Sequence, residues 1–378
     1  MVFRCYEMTD HSVANFFLER ILTNVTRINE PGYLTSSFPT IEGQSIFERM
    51  FFIPESFFVN LENEISQSYP NGKSKLYSIG KKFGYRFASI LKLSKKDPIT
   101  SASSVFRFLQ TIYADKISII ECDPKSKKFI LETKNLAITS KNGMGYILTV
   151  GGCAGIWDYL TNDYSVECSV KKESDTDYQL ICAPDYILKN LGLDIFKCDS
   201  MPEHIETSEY KSYNTFKNDE QSSDNNFHIK KMIETQLLTY ENGNMEIAKH
   251  RIILVEISLL HEIENTLDRN TIYNAAYGCF YELGKDLGKY GYGVSFLSEI
   301  LTSFGFGIVT VIVEKNNTKL NFSGYPYTPG FNTNTYSLIR GLISGYIDGN
   351  SGNKITSCSV SSKFYNNSLV LSIGVFNS

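Results

Sequence analysis

The chain has 378 residues, 42% hydrophobic and 21% charged, the composition of an ordinary globular protein of two or three domains. Its 37 basic and 41 acidic residues leave a net charge of −4, which gives no sign of the basic domain or stripe of a nucleic-acid binder. No run approaches the roughly 20 apolar residues of a membrane span, no apolar signal core opens the chain, and 8 scattered cysteines without a Cys-x-x-Cys pair read as reduced cytosolic thiols.

Residues 1–49 form an extension. Val13, Phe16, Phe17, Ile21, Leu22 and Val25 recur at helical spacing, with Asp10 or Ser12 as cap, and Glu30-Pro-Gly-Tyr33 stops the helix. One amphipathic helix and a loop, packed on the first module of the chain, account for this stretch; a dimerisation helix is the other reading.

That first module is predicted over 50–185. After a short extended lead at Phe51-Phe-Ile-Pro54-Glu55, a helix runs to about Gln67. A second helix carries Leu76, Ile79, Phe83, Phe87 and Ile90 on one side. Its Gly80, Gly84 and Ala88 make a small-residue stripe, which lets another backbone come close and offsets glycine's helix cost of roughly 1 kcal/mol each. A further helix spans about Ser103 to Tyr113. The period then changes to strands at Lys116–Cys122 and Lys128–Thr133, a helix from Met144 to Leu160, and a second hairpin at Tyr164–Lys171 and Tyr178–Cys182. Helices followed by an antiparallel sheet with one inserted helix give an α+β class.

Residues 186–248 read as a connector. Its part from about 199 to 226, ending in Asp219-Glu-Gln-Ser-Ser-Asp-Asn-Asn226, is too polar to offset its ordering entropy and is expected to be a flexible linker. A second module is predicted over 249–378, with a glycine helix through Tyr273, Ala276, Tyr277, Phe280, Tyr281, Gly284 and Gly288. Strands come next at Ile308–Glu314, Lys319–Ser323, Ile355–Ser361 and Leu369–Phe376, around a helix at Thr335–Ile347.

The two modules echo each other in sequence. Tyr77-Ser-Ile-Gly80-Lys81-Lys-Phe83-Gly84 returns as Tyr281-Glu-Leu-Gly284-Lys285-Asp-Leu287-Gly288. Gly151, Gly155, Asp158, Cys168 and Val170 return as Gly341, Gly345, Asp348, Cys358 and Val360. This is the pattern of a tandem duplicated domain. Packing as an internal pseudo-dimer would use the glycine stripes as close contacts, within or between modules.

Catalytic signatures do not stand out. The five histidines form no metal-binding pair; His261 reads as a helix-face residue and Lys81 and Lys285 as solvated neighbours of the glycines. There is no Gly-x-Ser-x-Gly, phosphate loop or dinucleotide fingerprint.

The glycine-bearing helix, the Gly-x-x-x-Gly helix and the terminal hairpin opening at Val166-Glu167, in this order and twice over, resemble the 4-vinyl reductase domain family. That family shares its fold with trafficking (TRAPP-type) subunits and with aromatic-sensing regulator domains. The resemblance implies a cytoplasmic protein of prokaryotic, archaeal origin that binds or senses an apolar or aromatic small molecule, alone, as a homo-oligomer or with a protein partner. Aromatic-sensing members hold zinc at positions that fall here on Tyr146, Glu167, Val170 and Tyr178, and on Tyr336, Ser357, Val360 and Ser368. Only one of the eight is a zinc ligand, so no metal is expected. The implied ligand lies between helices and sheet, with Phe83, Phe87, Phe106, Tyr146 and Trp157, and Tyr277, Tyr281, Phe304 and Tyr336, as candidate contacts. The competing expectations are a scaffold or tether without a small ligand, and an accessory factor that takes a tetrapyrrole. A reductase is disfavoured, since no nicotinamide, flavin or iron–sulfur motif accompanies the fold.

Overall fold

Two short helix starts show how local sequence sets the frame. Asp97 accepts from the amide of Thr100 at 3.1 Å, ahead of Pro98 at the first helical position. Asp268 does the same for Asn270 and Thr271, at 2.9 and 3.0 Å. The helices they start lie third in the first half of the chain and second in the second. The structure, a computed structural model, describes residues 26–27, 34–39, 45–137, 146–198, 229–241, 244–290, 293–314, 317–323, 336–351, 358–365 and 368–375. The N-terminal helix expected before Val25 and the polar linker expected over about 199–226 lie outside the described residues.

The first half runs β3 (Ser45–Pro54), α1 (Glu55–Ser68), α2 (Gly72–Ile90), α3 (Pro98–Tyr113), β4 (Lys116–Asp123), β5 (Lys128–Lys134), α4 (Ile147–Thr161), β6 (Val166–Lys172) and β7 (Asp177–Pro184). It is preceded by β1 (Thr26–Arg27) and β2 (Leu34–Pro39) and followed by α5 (Asp185–Asn190). After α6 (Ile229–Glu234), β8 (Leu238–Glu241) and β9 (Asn244–Ile247), the second half repeats the order. It has β10 (His250–Glu256), α7 (Ile257–Thr266), α8 (Arg269–Gly288), α9 (Val294–Ser303), β11 (Ile308–Glu314), β12 (Asn317–Ser323), α10 (Tyr336–Ser351), β13 (Cys358–Tyr365) and β14 (Ser368–Val375). Each half closes in a four-stranded antiparallel sheet of the same order, β4-β5-β7-β6 and β11-β12-β14-β13. The fold is α+β, and no helix of the described residues is long and apolar enough to cross a membrane.

A third sheet, β1-β2-β3-β10-β9-β8, joins the halves. It revises the reading of residues 34–49 as a loop and of 238–247 as connector: Leu34–Pro39, Ser45–Pro54, Leu238–Glu241 and Asn244–Ile247 are strands, ordered by pairing across the sheet rather than by their own period. At its centre β3 and β10 pair antiparallel, with Phe52 opposite Leu254. Counting back from the helices that Glu55 and Ile257 open, Phe52 and Leu254 are counterparts, so a local pseudo-twofold axis passes through this pair.

The contacts around the axis come in matched sets. The Arg49 guanidinium donates to the carbonyl of Gly305 at 3.0 Å, just beyond α9. Its counterpart Arg251 donates to the Asn135 side chain and carbonyl at 3.0 and 2.8 Å, and reaches the Tyr113 carbonyl at the end of α3. The Phe52 amide donates to Phe304 at 3.2 Å, and the Tyr113 hydroxyl to the Leu254 carbonyl at 2.5 Å. Asn60 of α1 donates to the Ala275 carbonyl of α8 across the same boundary, at 3.3 Å.

Within each half the glycine stripes meet. A Cβ on Gly80 or Gly84 would stand 2.1 Å from the carbonyl oxygen of Leu148 or Gly152 on α4. One on Gly151 or Gly155 would stand 2.2 or 2.0 Å from that of Tyr77 or Lys81 on α2. In the second half Gly284 and Gly288 of α8 meet α10 in the same way, at 2.1 and 2.2 Å. The helices therefore touch backbone to backbone, and the stripes act within each half rather than between halves. Gly155→Ala should destabilise the protein by about 3 kcal/mol, since a rigid carbonyl blocks the new methyl. Gly278→Ala on α8, with nothing within 4 Å of the added carbon, should instead stabilise by about 0.5–1 kcal/mol. Urea unfolding of the two variants against the parent chain checks both signs.

Candidate functional site

The pairing of α2 with α4 leaves a hollow on one side. Phe83, Gly84 and Phe87 of α2, Phe106, Leu109 and Ile112 of α3, and Gly152, Cys153 and Ile156 of α4 surround it, above Leu131 and Leu180 of the sheet. The fourth wall comes from the other half: Ile253, Leu254, Val255 and Glu256 of β10 and Leu259 of α7, beside Met50 of β3. The cavity measures about 160 Å³ and its lining is overwhelmingly carbon. A dry cavity of about 150 Å³ accommodates a benzene ring, so this one takes a single ring or a branched chain of similar bulk.

Of the candidate contacts, Phe83, Phe87 and Phe106 line this cavity, and Phe83 stacks on Phe87 with ring centres 6.1 Å apart. Trp157 is 1% exposed and stands behind them: it stacks on Phe129 at 4.8 Å, Phe129 leans on Phe106, and the indole donates to the Lys127 carbonyl at 3.0 Å. It is core, because its N–H has a fixed protein partner and its ring a fixed neighbour. Tyr146 precedes α4 and is half-buried; burial raises its hydroxyl pKa, with Glu62 and Asp194 adding to the shift. It is not among the residues that line the cavity.

The second set is dispersed. Tyr277 and Tyr281 stack along the outer side of α8 with exposed Tyr273, at 5.3 and 6.2 Å, and the Tyr281 hydroxyl bonds Asp348. Phe304 is fully buried edge-on to Phe52, where the halves meet. Tyr336 opens α10, and its side chain lies outside the described residues. Sequence reasoning missed the wall supplied by β10, since only the pairing register brings it there.

A second constellation sits on the other side of α2. Lys81, expected to be solvated, is 0% exposed. Its ammonium stands 2.9 Å from Glu167 and 3.1 Å from Asp158, and donates to the Val166 carbonyl at 2.7 Å. The Tyr77 hydroxyl donates to Glu167 at 2.5 Å and accepts from the Cys168 amide at 3.0 Å. Lysine is carried inside because its neighbours in the helix are the glycines that press on α4. The carboxylate that the family resemblance assigns to zinc is thus neutralised by a lysine. Burial raises Glu167, with Lys81 working against the rise. Burial pushes Asp158 up to about 8, Lys81 again opposing. Burial alone would lower Lys81, but Asp158 and then Glu167 more than offset it. Two carboxyls share one ammonium, and one of them keeps its proton near neutrality. The signal for this cluster was in the repeat, where Lys81 and Asp158 return together as Lys285 and Asp348.

His261, read as a helix-face residue, is fully buried on α7, and burial pushes its pKa down to about 3, followed by the nearby Arg86 charge. Cys153, Cys168 and Cys182 are buried thiols, all raised chiefly by burial. Among the described residues, no group of three His, Cys, Asp or Glu side chains is placed to hold a metal. No protein-family model matches this chain, and no curated protein matches it.

Asp158 titrates near 8 in the folded chain and at 3.8 when unfolded. Between those values the native state holds the extra proton, so this group favours folding at low pH and loses that contribution as pH rises through about 8. Asp158→Asn should flatten the fall in stability between pH 5 and pH 8, read by urea midpoints at the two pH values.

Proposed function

We propose that this chain is a small-molecule binding or sensor protein of the 4-vinyl reductase type, with an apolar or aromatic ligand in the cavity of its first half. The observation that carries the reading is the carbon-lined hollow of about 160 Å³ walled by both halves. An apolar pocket of this kind excludes water and gains by burying carbon, at roughly 25 cal/mol per Å² of surface removed from water. Because β10 is both a wall of the cavity and the partner of β3, a ligand that props the wall acts directly on the contact between halves. That is the arrangement a sensor needs: two states of one interface with different affinities for the ligand.

A second reading, a scaffold with a protein partner, draws on one observation. Ile120 and Ile312 are exposed at corresponding places on β4 and β11, which are edge strands of the two terminal sheets. Edge strands with exposed apolar residues invite pairing with another chain. The tetrapyrrole reading draws no support from the cavity, which has room for one ring and not four.

Toluene is the simplest probe of the first reading. At about a hundred times its dissociation constant, a ligand specific to the native state stabilises it by about 2.7 kcal/mol. Toluene should therefore raise the melting temperature and add its mass in native spectra. Thr149→Phe, which puts a ring into the cavity from half-buried Thr149 on α4, should abolish both effects while the protein stays folded. A parent chain indifferent to toluene and to larger single-ring hydrocarbons would remove the reading.

A further inference from the structure

One member of the Lys81 cluster borders a second hollow. Glu167, 8% exposed, is the buried residue of its lining, and the other lining residues are all partly or fully exposed. The hollow measures about 600 Å³, within the roughly 300–1,000 Å³ of small-molecule sites. The turn between β4 and β5 brings Lys125 and Lys127 to it, and the entry to β6 brings Ser165 and Glu167. Asp185 comes from α5 and Lys197 from the segment beyond it. None of these residues lines the apolar cavity.

Three lysines thus face two carboxylates, and their bonds are unevenly spent. Lys197 pairs with Asp185 at 2.7 Å, and Lys127 with Asp163. Each ammonium has three N–H donors, so both keep donors to spare. Lys125 is exposed and makes no salt bridge among the described residues; neighbouring Asp123 is committed to the Ser126 hydroxyl and the Lys125 amide. On the acceptor side, Lys81 at 2.9 Å and Tyr77 at 2.5 Å both donate to one oxygen of Glu167, Oε2. The other oxygen, Oε1, accepts from no group of the described residues. Burial raises Glu167, Lys81 opposes, and Asp185 adds to the rise; Asp185 raises Lys197, and Glu167 adds. These groups therefore act on one another around the hollow. A bare carboxylate here would repel an anion, but the buried Lys81 ammonium offsets its charge from behind. What remains is a rim of cationic donors over one acceptor oxygen.

We propose that this hollow is a second ligand site that takes a small phosphorylated sugar, its phosphate on Lys125 with the spare donors of Lys127 and Lys197, and a hydroxyl donating to Oε1 of Glu167. Phosphate oxygens accept charge-assisted bonds from ammonium groups, roughly twice as strong as neutral ones. A neutral sugar would forgo those bonds, inorganic phosphate would bring Glu167 no sugar hydroxyl, and an amine would meet three lysines. The site shares no lining residue with the apolar cavity, so either one stands without the other.

The test is a calorimetric titration of the full chain with glucose 6-phosphate, inorganic phosphate and glucose, repeated on Lys125→Ala and Glu167→Gln. Glucose 6-phosphate should bind the parent chain tightest, with phosphate weaker and glucose undetected. Lys125→Ala, at an exposed turn, should cost glucose 6-phosphate about tenfold or more. Glu167→Gln should narrow the margin between glucose 6-phosphate and phosphate. Absence of glucose 6-phosphate binding, phosphate binding as tightly as the sugar phosphate, or full affinity in Lys125→Ala would overturn the site; an unchanged margin in Glu167→Gln would overturn the role of Glu167. Should Glu167→Gln fail to fold by near-ultraviolet circular dichroism, the order of the three ligands and Lys125→Ala decide alone.

Discussion

Backbone contact between two helices, made possible by glycine, decides where everything else in each half can go. With Gly80 and Gly84 pressed on α4, the residue between them in sequence, Lys81, cannot reach solvent and must find its counter-charges inside. Asp158 on α4 and Glu167 on β6 supply them. On the other side of the same contact, Gly84 and Gly152 contribute no side chain to the volume beside them, and both border the cavity. The buried charge cluster and the hollow are two results of one packing choice. The first satisfies a polar group that the contact would otherwise strand; the second is space that the contact does not fill.

The halves share a frame but not a use of it. Lys285 is only half-buried, and the position that answers to Glu167 is Ser357, so the sealed triad of the first half has no full counterpart in the sequence of the second. Tyr281, the counterpart of Tyr77, turns to Asp348 instead. Tyr77 lies beneath Phe196 of the segment after α5, whereas Tyr281 stacks on Tyr277 along the outer side of α8. Repetition of elements with divergence of side chains lets one half form most of the cavity while the other supplies part of its wall.

Much of this was legible in the chain. Glycines four residues apart announce close helix contact whatever the partner, and alternation marks β5, which buries every second residue. The strands at 34–39, 238–241 and 244–247 were not legible, because they are short and are ordered by the sheet that β3 and β10 build. Lys81 was read outward because a lysine beside glycines carries no local sign of burial; its carboxylates are 77 and 86 residues away in sequence. Aromatic content pointed at the lining through Phe83, Phe87 and Phe106 and misled at Trp157, since size alone does not separate a ring that borders space from one that fills it. The wall that β10 adds to the cavity comes from a register between strands some two hundred residues apart, which no local pattern encodes.

That register also bears on how the chain reaches its native state. The central sheet belongs to neither half: β3 and β10 each leave a row of backbone donors and acceptors unmet until the other arrives. A ribosome must release nearly two-thirds of the chain before β10 exists, and until then the first half exposes an apolar strand containing Phe51, Phe52 and Ile53. Closing so long a loop is slow relative to local folding. The leading strand is therefore the point of greatest exposure to misassociation during synthesis, and the natural place for a chaperone to hold the nascent chain.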